Sequence, residues 1–215
     1  MTELFGRIPV EKRNRIFDAA INEFAIYGYM NANTNKIARK AGISVGSLFQ
    51  YFDNKEDLFL TTVKHCATIM KSALEEIMIG EEDILLKVEK LLRTIQKHSR
   101  ENLNMIRLYN EMATQSNSKI ICEVVRDMET LTAKLYADLI QKAQAEHEAR
   151  SDCDPGMFAF LLDNIFMMLQ FSYSCDYYRE RFKIYVREDI FEQDDFVIEQ
   201  SLKFIKAAFS PKIPK

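Results

Sequence analysis

The chain has 215 residues, of which 47% are hydrophobic and 28% charged, a balance typical of one or two ordinary globular domains. Six glycines and four prolines argue against an all-β fold and favour long helices. The net charge of −3 argues against a protein that binds polyanions over its whole surface. Residues 1–55 nevertheless carry +3 and the remainder −6, and a basic head on an acidic body indicates a local nucleic-acid contact.

The expected cellular setting follows from composition. The segment MTELFGRIPVEKRNR has no apolar stretch typical of a signal peptide, and no run of about 18 uncharged apolar residues predicts a membrane span. The four cysteines lie far apart without a CxxC pair, so we expect reduced thiols rather than disulfides or a zinc site. We therefore expect a cytoplasmic protein with no cofactor, metal or membrane contact.

Two long helices are predicted in the first 79 residues. One spans about 9–27, because apolar residues recur every four positions from Ile16, and Gly28 terminates it. The other spans about 55–79 and begins at the cap Asn54, with acidic residues in its first turn.

Two short helices lie between them and are joined by a tight turn. The first covers about 35–40 and is capped by Thr34 or by the asparagine before it. Gly42 stops this helix, because the turn needs a left-handed residue. Ser44 then caps a helix over 45–51. Helices this short are stable only when they pack on a neighbour, and the pattern is that of a helix-turn-helix.

Five further helices are predicted after Gly80, and no strand or repeat is evident. Their ranges are about 81–99, 101–115, 118–149, 155–184 and 195–209, with a charged connection over 187–194. We expect an all-α protein with a DNA-binding head over 1–54, a linking helix over 55–79 and a body over 80–215.

The stretch TNKIARKAGISVGSLFQYFDNKEDLF resembles the signature of the TetR family of transcriptional regulators, and the likeness covers about residues 12–62. The caps, the alanine–glycine turn and the KEDL start of the next helix all fall in register. The resemblance implies a homodimer in which an N-terminal three-helix helix-turn-helix domain binds DNA and a C-terminal helical bundle binds an effector and dimerises. It also implies a repressor that an effector releases from a pseudo-palindromic operator.

Helix 45–51 is the predicted groove reader. Gln50 is the best candidate for a base contact, because an amide can pair bidentately with adenine. Gly46 leaves backbone bare at the helix start, and Val45 and Ser47 flank it at positions that touch bases or phosphates in the family. Phe49 stands where the family usually has a tyrosine that binds phosphate, so a tyrosine there should tighten DNA binding.

Phosphate contacts are predicted around this helix. Thr34 and Tyr51 can hydrogen-bond phosphates, and Lys55 brings a cation to the free N–H groups of the next helix start. Each assignment has a plainer alternative: Gln50 simply solvated, Tyr51 a boundary residue, Lys55 a helix-end charge. The predicted DNA contacts are Thr34, Lys36, Ser44, Val45, Gly46, Ser47, Phe49, Gln50, Tyr51 and Lys55.

The last long helices carry more apolar surface than one subunit can hide, which favours a four-helix dimer interface over an ordinary intrachain core. Its predicted residues are Phe158, Leu162, Phe166, Phe196, Leu202 and Phe209. An effector pocket for an apolar or amphipathic small molecule is predicted among the central helices, since methionines suit adaptable cavities, although such stripes also form plain core. Its candidates are Met70, Met105, Tyr109, Met112, Met128, Tyr136, Met167 and Phe171.

Two other classes of function compete with a DNA-binding regulator. A helical metal oxidase needs Glu-x-x-His pairs, and none of His65, His98 and His147 has a glutamate three residues earlier, so we expect no enzyme. A helical protein-interaction module without DNA binding remains an alternative, as does a transcriptional activator of the same fold. The sequence predicts neither the operator nor the effector.

Overall fold

The computed structural model describes residues 1–114 and 119–210, and in these residues it contains helices and no strand. The helices are α1 Glu3–Arg7, α2 Val10–Asn31, α3 Thr34–Lys40, α4 Val45–Tyr51, α5 Lys55–Met78, α6 Ile84–Glu101, α7 Leu103–Thr114, α8 Lys119–Ala145, α9 Pro155–Ser174, α10 Asp176–Tyr185 and α11 Asp194–Phe209. A short 3-10 helix, Ile190–Glu192, precedes α11. The predicted all-α class, with a helix-turn-helix head and a helical body, is confirmed.

The helix predictions differ from the structure at three places. Gly28 interrupts α2 as predicted, with a non-helical φ of 70° and ψ of 167°, but the chain resumes a helical course beyond this kink and α2 extends to Asn31. The helix predicted over 155–184 is two helices, because Cys175 is extended, with φ −115° and ψ 124°. Helix α1 was not predicted. The bounds of α4, by contrast, are those predicted from its cap.

The chain divides into two compact units. The first unit comprises Met1–Ile69 and Asn104–Val125, and the second comprises Met70–Leu103 and Arg126–Lys215. The division falls within α5 and assigns most of α7 to the unit that holds the helix-turn-helix. The functional limits predicted at 54 and 80 stay a prediction.

The core of the first unit joins α2, α3 and α4. Phe24, Ile37, Leu48 and Phe52 are completely buried in it, and burying a side chain of this size contributes about 1.5–3 kcal/mol. Phe5 of α1 adds a ring 4.7 Å from the ring of Phe52. Packing on these residues therefore keeps the seven-residue helices α3 and α4 folded.

The core of the second unit is built on α6, which buries a stripe from Val88 to Ile95. Helices α9 and α11 pack against α6, and the rings of Phe158 and Phe209 stack at 5.1 Å where α9 meets α11. Helix α9 is long and apolar enough to cross a membrane by length and composition, but it buries Leu162 and Phe166 in this core.

This core corrects part of the predicted dimer interface. Leu162, Phe166 and Phe209 are buried within their own chain and have no surface for a second copy. The other three predicted residues, Phe158, Phe196 and Leu202, are partly buried against the same core. The physical reason is that α9 is apolar on all sides, so its periodicity does not reveal which stripe faces inward. The exposed apolar side chains of α9 and α11 are Met157, Phe160, Leu161 and Phe204.

Candidate nucleic-acid interface

The turn between α3 and α4 forms from short-range hydrogen bonds. The side chain of Asn33, not Thr34, caps α3 by accepting from the N–H groups of Asn35 and Lys36. Gly42 takes a φ of 70°, in the left-handed region. Ser44 Oγ then accepts from the N–H of Ser47 at 3.0 Å and caps α4.

Helix α4 has one buried side and one open side. Leu48 and Phe52 face the core, while Gly46, Phe49 and Gln50 are exposed. A Cβ built on Gly46 would meet only Ser44 Oγ, at 3.8 Å, which is ordinary contact. The fold therefore does not require glycine at this position. The start of α4 is open for another molecule to approach its backbone.

Tyr51 is not on the open side. It is 6% exposed, its ring lies 5.7 Å from the ring of Phe5, and its hydroxyl accepts a hydrogen bond from Lys12 Nζ at 2.9 Å. The prediction that Tyr51 faces a phosphate is corrected, because α1 covers this side of α4. Lys12 is the cation at this edge and was not among the predicted contacts.

The N-terminal segment also holds the end of α4. Thr2 donates its hydroxyl to the carbonyl of Gln50 at 2.9 Å and its backbone N–H to the carbonyl of Tyr51 at 3.0 Å. These bonds satisfy carbonyls that a helix end leaves without partners. The sequence offered one signal for this contact, the apolar pair Leu4-Phe5 near the N-terminus, but nothing that identified its partner.

Two predicted lysines rest on aromatic rings of the head. Lys55 Nζ lies 5.1 Å from the ring centre of Tyr29 and donates to the carbonyl of Met30 at 3.1 Å. Lys36 Nζ lies 4.8 Å from the ring centre of Tyr27. Both ammonium groups are thus held close to the end of α2, where they can still accept an anion through their remaining protons.

A buried carboxylate fixes α3 to α2. Glu23 is 1% exposed. Its Oε1 accepts from the N–H of Asn33 at 3.2 Å, and its Oε2 lies 3.5 Å from Lys40 Nζ. One side chain of α2 therefore holds both the cap and the last turn of α3. Sequence reasoning missed it, because a glutamate on a helix usually faces solvent.

Helix α7 is bound to α2 at two points. Asn104 donates to Asn22 Oδ1 at 2.7 Å, and Glu111 Oε1 accepts from the N–H of Tyr29 at 2.8 Å. The paired residues are separated by the same interval on both helices, so these segments run parallel in register. The second bond satisfies an N–H that the kink at Gly28 releases from the helix ladder.

The predicted effector residues are divided between the two units. Met105, Tyr109 and Met112 belong to the first unit, and Met70, Met128, Tyr136, Met167 and Phe171 to the second. An open depression of about 560 Å³ in the second unit is lined by Arg100 and residues 191–196 and includes none of them. Arg100 is engaged there by Asp194 and the carbonyl of Phe191. Among the described residues, no three His, Cys, Asp or Glu side chains are grouped to hold a metal.

Comparison with known proteins supports the resemblance found in the sequence. Residues 16–62 match the family described as bacterial regulatory proteins, tetR family. An uncharacterized HTH-type transcriptional regulator of Bacillus subtilis, YhgD, is 23% identical over 166 residues, which cover 77% of this chain and 86% of that protein.

Two solved structures extend the likeness to the body. A TetR-family regulator from Rhodococcus sp. matches with a TM-score of 0.69 at 18% identity, over 94% of this chain and all of that one. FadR of Bacillus subtilis, solved in complex with stearoyl-CoA, matches with a TM-score of 0.68 at 17% identity, over 86% of this chain and 95% of that one. At these identities the structures demonstrate a shared fold.

Proposed function

We propose that the chain, whose residues 16–62 match the tetR family of bacterial regulatory proteins, is a cytoplasmic, homodimeric repressor that a small effector releases from DNA. Each protomer inserts α4 into the major groove of one half of a pseudo-palindromic operator. The observation that carries this proposal is the open side of α4, where Gly46, Phe49 and Gln50 are exposed on a helix anchored by fully buried residues.

The exposed residues divide into readers and anchors. The amide of Gln50 pairs with adenine N6 and N7, while Val45 and Phe49 supply apolar contact to thymine methyl groups or sugars. Gly46 lets the backbone of α4 approach the groove closely. This group of residues carries the sequence specificity.

The anchors position the head without reading bases. The hydroxyls of Thr34, Ser44 and Ser47 lie at the starts of α3 and α4, where free N–H groups also attract a phosphate. Lys36 and Lys55 add cations whose contribution falls with salt.

Electrophoretic mobility tests the proposal directly, with DNA from upstream of the protein's own gene, a randomised library and a scrambled duplex of equal length. We expect the dimer to select a pseudo-palindrome and to bind it at least about a thousandfold more tightly than the scrambled duplex. A dimeric protein that binds no sequence above the non-specific background would contradict the proposal.

The homodimer contact is proposed on the apolar stripe of Met157, Phe160 and Leu161 on α9 together with Phe204 on α11. Phe160 is 61% exposed and Phe204 is 67% exposed, which is more apolar surface than a monomer ordinarily leaves in water. Phe160→Glu should give a monomer by sedimentation and weaken operator binding about 100-fold, since the second head is lost. Ile184→Glu, at another exposed apolar position, should remain dimeric. If the Phe160→Glu variant still sediments as a dimer, the proposed dimer face is wrong.

The effector is proposed to be an apolar or amphipathic molecule bound in the second unit, and FadR, solved with stearoyl-CoA, is a precedent for such a ligand in this fold. The proposed signal runs through α6 into α7, because Asn102 alone separates the two helices. Helix α7 then acts on α2 through the Glu111–Tyr29 bond. The effector must bind one arrangement more tightly than the other to shift the equilibrium.

Glu111→Ala tests this route. The variant should still bind the operator but lose most of its response to the effector, and Glu101→Ala, at an exposed position on α6, should respond normally. An unchanged response in Glu111→Ala would exclude the route.

A further inference from the structure

The first unit holds several of its cations with neutral groups instead of carboxylates. Lys12 Nζ donates to the hydroxyl of Tyr51 at 2.9 Å, and Arg15 Nε donates to the carbonyl of Ala41 at 3.4 Å. Neither cation has a carboxylate partner among the described residues. Arg93 of the second unit, by contrast, pairs with two carboxylates. A cation that only neutral groups hold keeps its charge and its remaining protons available for an anion from outside the chain.

Lys12 and Arg15 lie together at the start of α2. They are three positions apart, an interval that places two side chains on one side of a helix. From there Lys12 reaches the last residue of α4, and Arg15 reaches the residue that ends α3. Arg15 is exposed and Lys12 is partly exposed. The start of α2 therefore presents two positive charges alongside the helix-turn-helix.

A second group of cations lies at the other end of α2. Lys55 rests there on the ring of Tyr29, and Lys36 rests on the ring of Tyr27. At about 1.5 Å per residue, Lys12 and Tyr29 are about 25 Å apart along α2. Since the major groove is about 12 Å wide, the two groups of cations are far enough apart to reach the phosphates on both of its edges.

We propose that Lys12 and Arg15 bind phosphates at one edge of the major groove while Lys36 and Lys55 bind those at the other edge. Tyr51 is a positioning residue, because its hydroxyl holds Lys12 beside α4, and the phosphate contact expected of Tyr51 passes to Lys12. This inference rests on the proposed function, since it requires α4 to enter the groove. It extends the nucleic-acid interface to the start of α2, upstream of the residues 16–62 that match the family.

The salt dependence of DNA binding counts such contacts. Native protein and Lys12→Met are titrated with the selected operator and with the scrambled duplex at several KCl concentrations. Each neutralised phosphate contributes about 0.9 to the slope of log K against log salt, so the loss of one contact from each of two heads should reduce the slope by about 1.8. At about 0.1 M KCl, we expect operator affinity to fall about tenfold or more. The scrambled duplex should weaken by the same factor, because phosphate contacts do not read sequence.

Three further variants separate charge from structure. Lys142→Met removes an exposed lysine from α8 and should keep the native slope. Lys12→Arg retains the positive charge and should also keep the slope. Tyr51→Phe removes only the hydroxyl, so it should keep the slope but weaken operator binding about threefold. Thermal unfolding and sedimentation establish that each variant is folded and dimeric.

Operators with a single uncharged methylphosphonate locate the phosphates that are bound. Each phosphate that flanks one half-site is replaced in turn, on both strands. Native protein should lose affinity at phosphates on both edges of the groove. Lys12→Met should become insensitive to replacement at one edge and stay as sensitive as the native protein at the other.

An unchanged salt slope in Lys12→Met would overturn the inference, as would native sensitivity of this variant to every methylphosphonate. Weakening confined to the operator would also overturn it, because Lys12 would then read a base. Unchanged operator affinity in Tyr51→Phe would overturn the positioning role. Any of these results with native protein that selects an operator rejects only this inference, whereas native protein that selects no operator rejects the proposed function.

Discussion

The two compact units differ in the partners that they provide for a carboxylate that is largely removed from solvent. In the first unit, Glu23 Oε1 accepts from the N–H of Asn33, while Glu23 Oε2 makes no hydrogen bond and lies 3.5 Å from Lys40 Nζ, so that the side chain links α3 to α2. In the second unit, Asp163 has no such partner in the described chain, and burial raises its pKa to about 6. A paired interior charge maintains geometry, whereas an unpaired one marks a candidate site for something that binds. The difference agrees with the proposed division of the chain into a DNA-reading head and a ligand-binding body.

Removing the paired carboxylate should have the largest effect. Glu23→Ala removes the hydrogen-bond partner of the N–H of Asn33 and opens a cavity at a buried position, so we expect a loss of about 3 kcal/mol in unfolding free energy. Urea unfolding followed by the tyrosine fluorescence and by helical circular dichroism measures it. Glu3→Ala removes an exposed carboxylate from a surface ion pair and should leave the urea midpoint unchanged. If Glu23→Ala loses as little unfolding free energy as the Glu3→Ala control, Glu23 does not stabilise the first unit and the contrast with Asp163 is wrong.

Removing the unpaired carboxylate should have the opposite sign. Because the folded pKa of Asp163 is raised, the folded protein binds a proton between about pH 4 and pH 6 that the unfolded chain releases. Stability is therefore lost as pH rises through that window. Asp163→Asn should be about 2 kcal/mol more stable than the native protein at pH 7 and nearly equal to it at pH 4.

The pH series needs its own control. Asp138→Asn changes an exposed carboxylate of α8 and should follow the native protein at every pH. A constant difference between Asp163→Asn and the native protein across the series would mean that Asp163 titrates as in the unfolded chain. The contrast with Glu23 would then be wrong, because Asp163 would behave like an exposed carboxylate.

A smaller test separates folding from reading within the first unit. Gly46→Ala adds a Cβ to which the fold is indifferent, and it should raise unfolding stability by about 0.5–1 kcal/mol, because alanine favours a helix. The same Cβ stands where DNA approaches and should weaken operator binding about tenfold, a cost of about 1.4 kcal/mol. If DNA affinity rises with stability, the start of α4 is not at the interface.

The features that could be predicted from the sequence are those determined by residues close together in the chain. The limits of α4 follow from the Ser44 cap and the left-handed Gly42, both within the turn itself. The burial of Tyr51 could not be predicted in the same way, because it depends on Phe5 and Lys12, which lie far away in sequence. An aromatic residue on a short helix is ambiguous until its neighbours are known.

The body was less predictable for two physical reasons. The break between α9 and α10 occurs at Cys175, with neither glycine nor proline to announce it. The low amphipathicity of α9 means that periodicity predicts a dimer surface but not which stripe would form it. The sequence shows that Asp163 is isolated in an apolar run. It does not show that Asp163 lies beside Tyr136 or that it lacks a partner among the described residues.

The most direct test of the central claim, that the open side of α4 reads DNA, is the base-by-base binding profile of Gln50→Ala. Native protein, Gln50→Ala and Gln141→Ala, an exposed glutamine of α8, are titrated against single-base variants of the selected operator. We predict that Gln50→Ala loses about 1–3 kcal/mol of discrimination at one or two base pairs of each half-site and keeps the rest. Uniform weakening across all variants, or a profile identical to that of Gln141→Ala, would contradict the account.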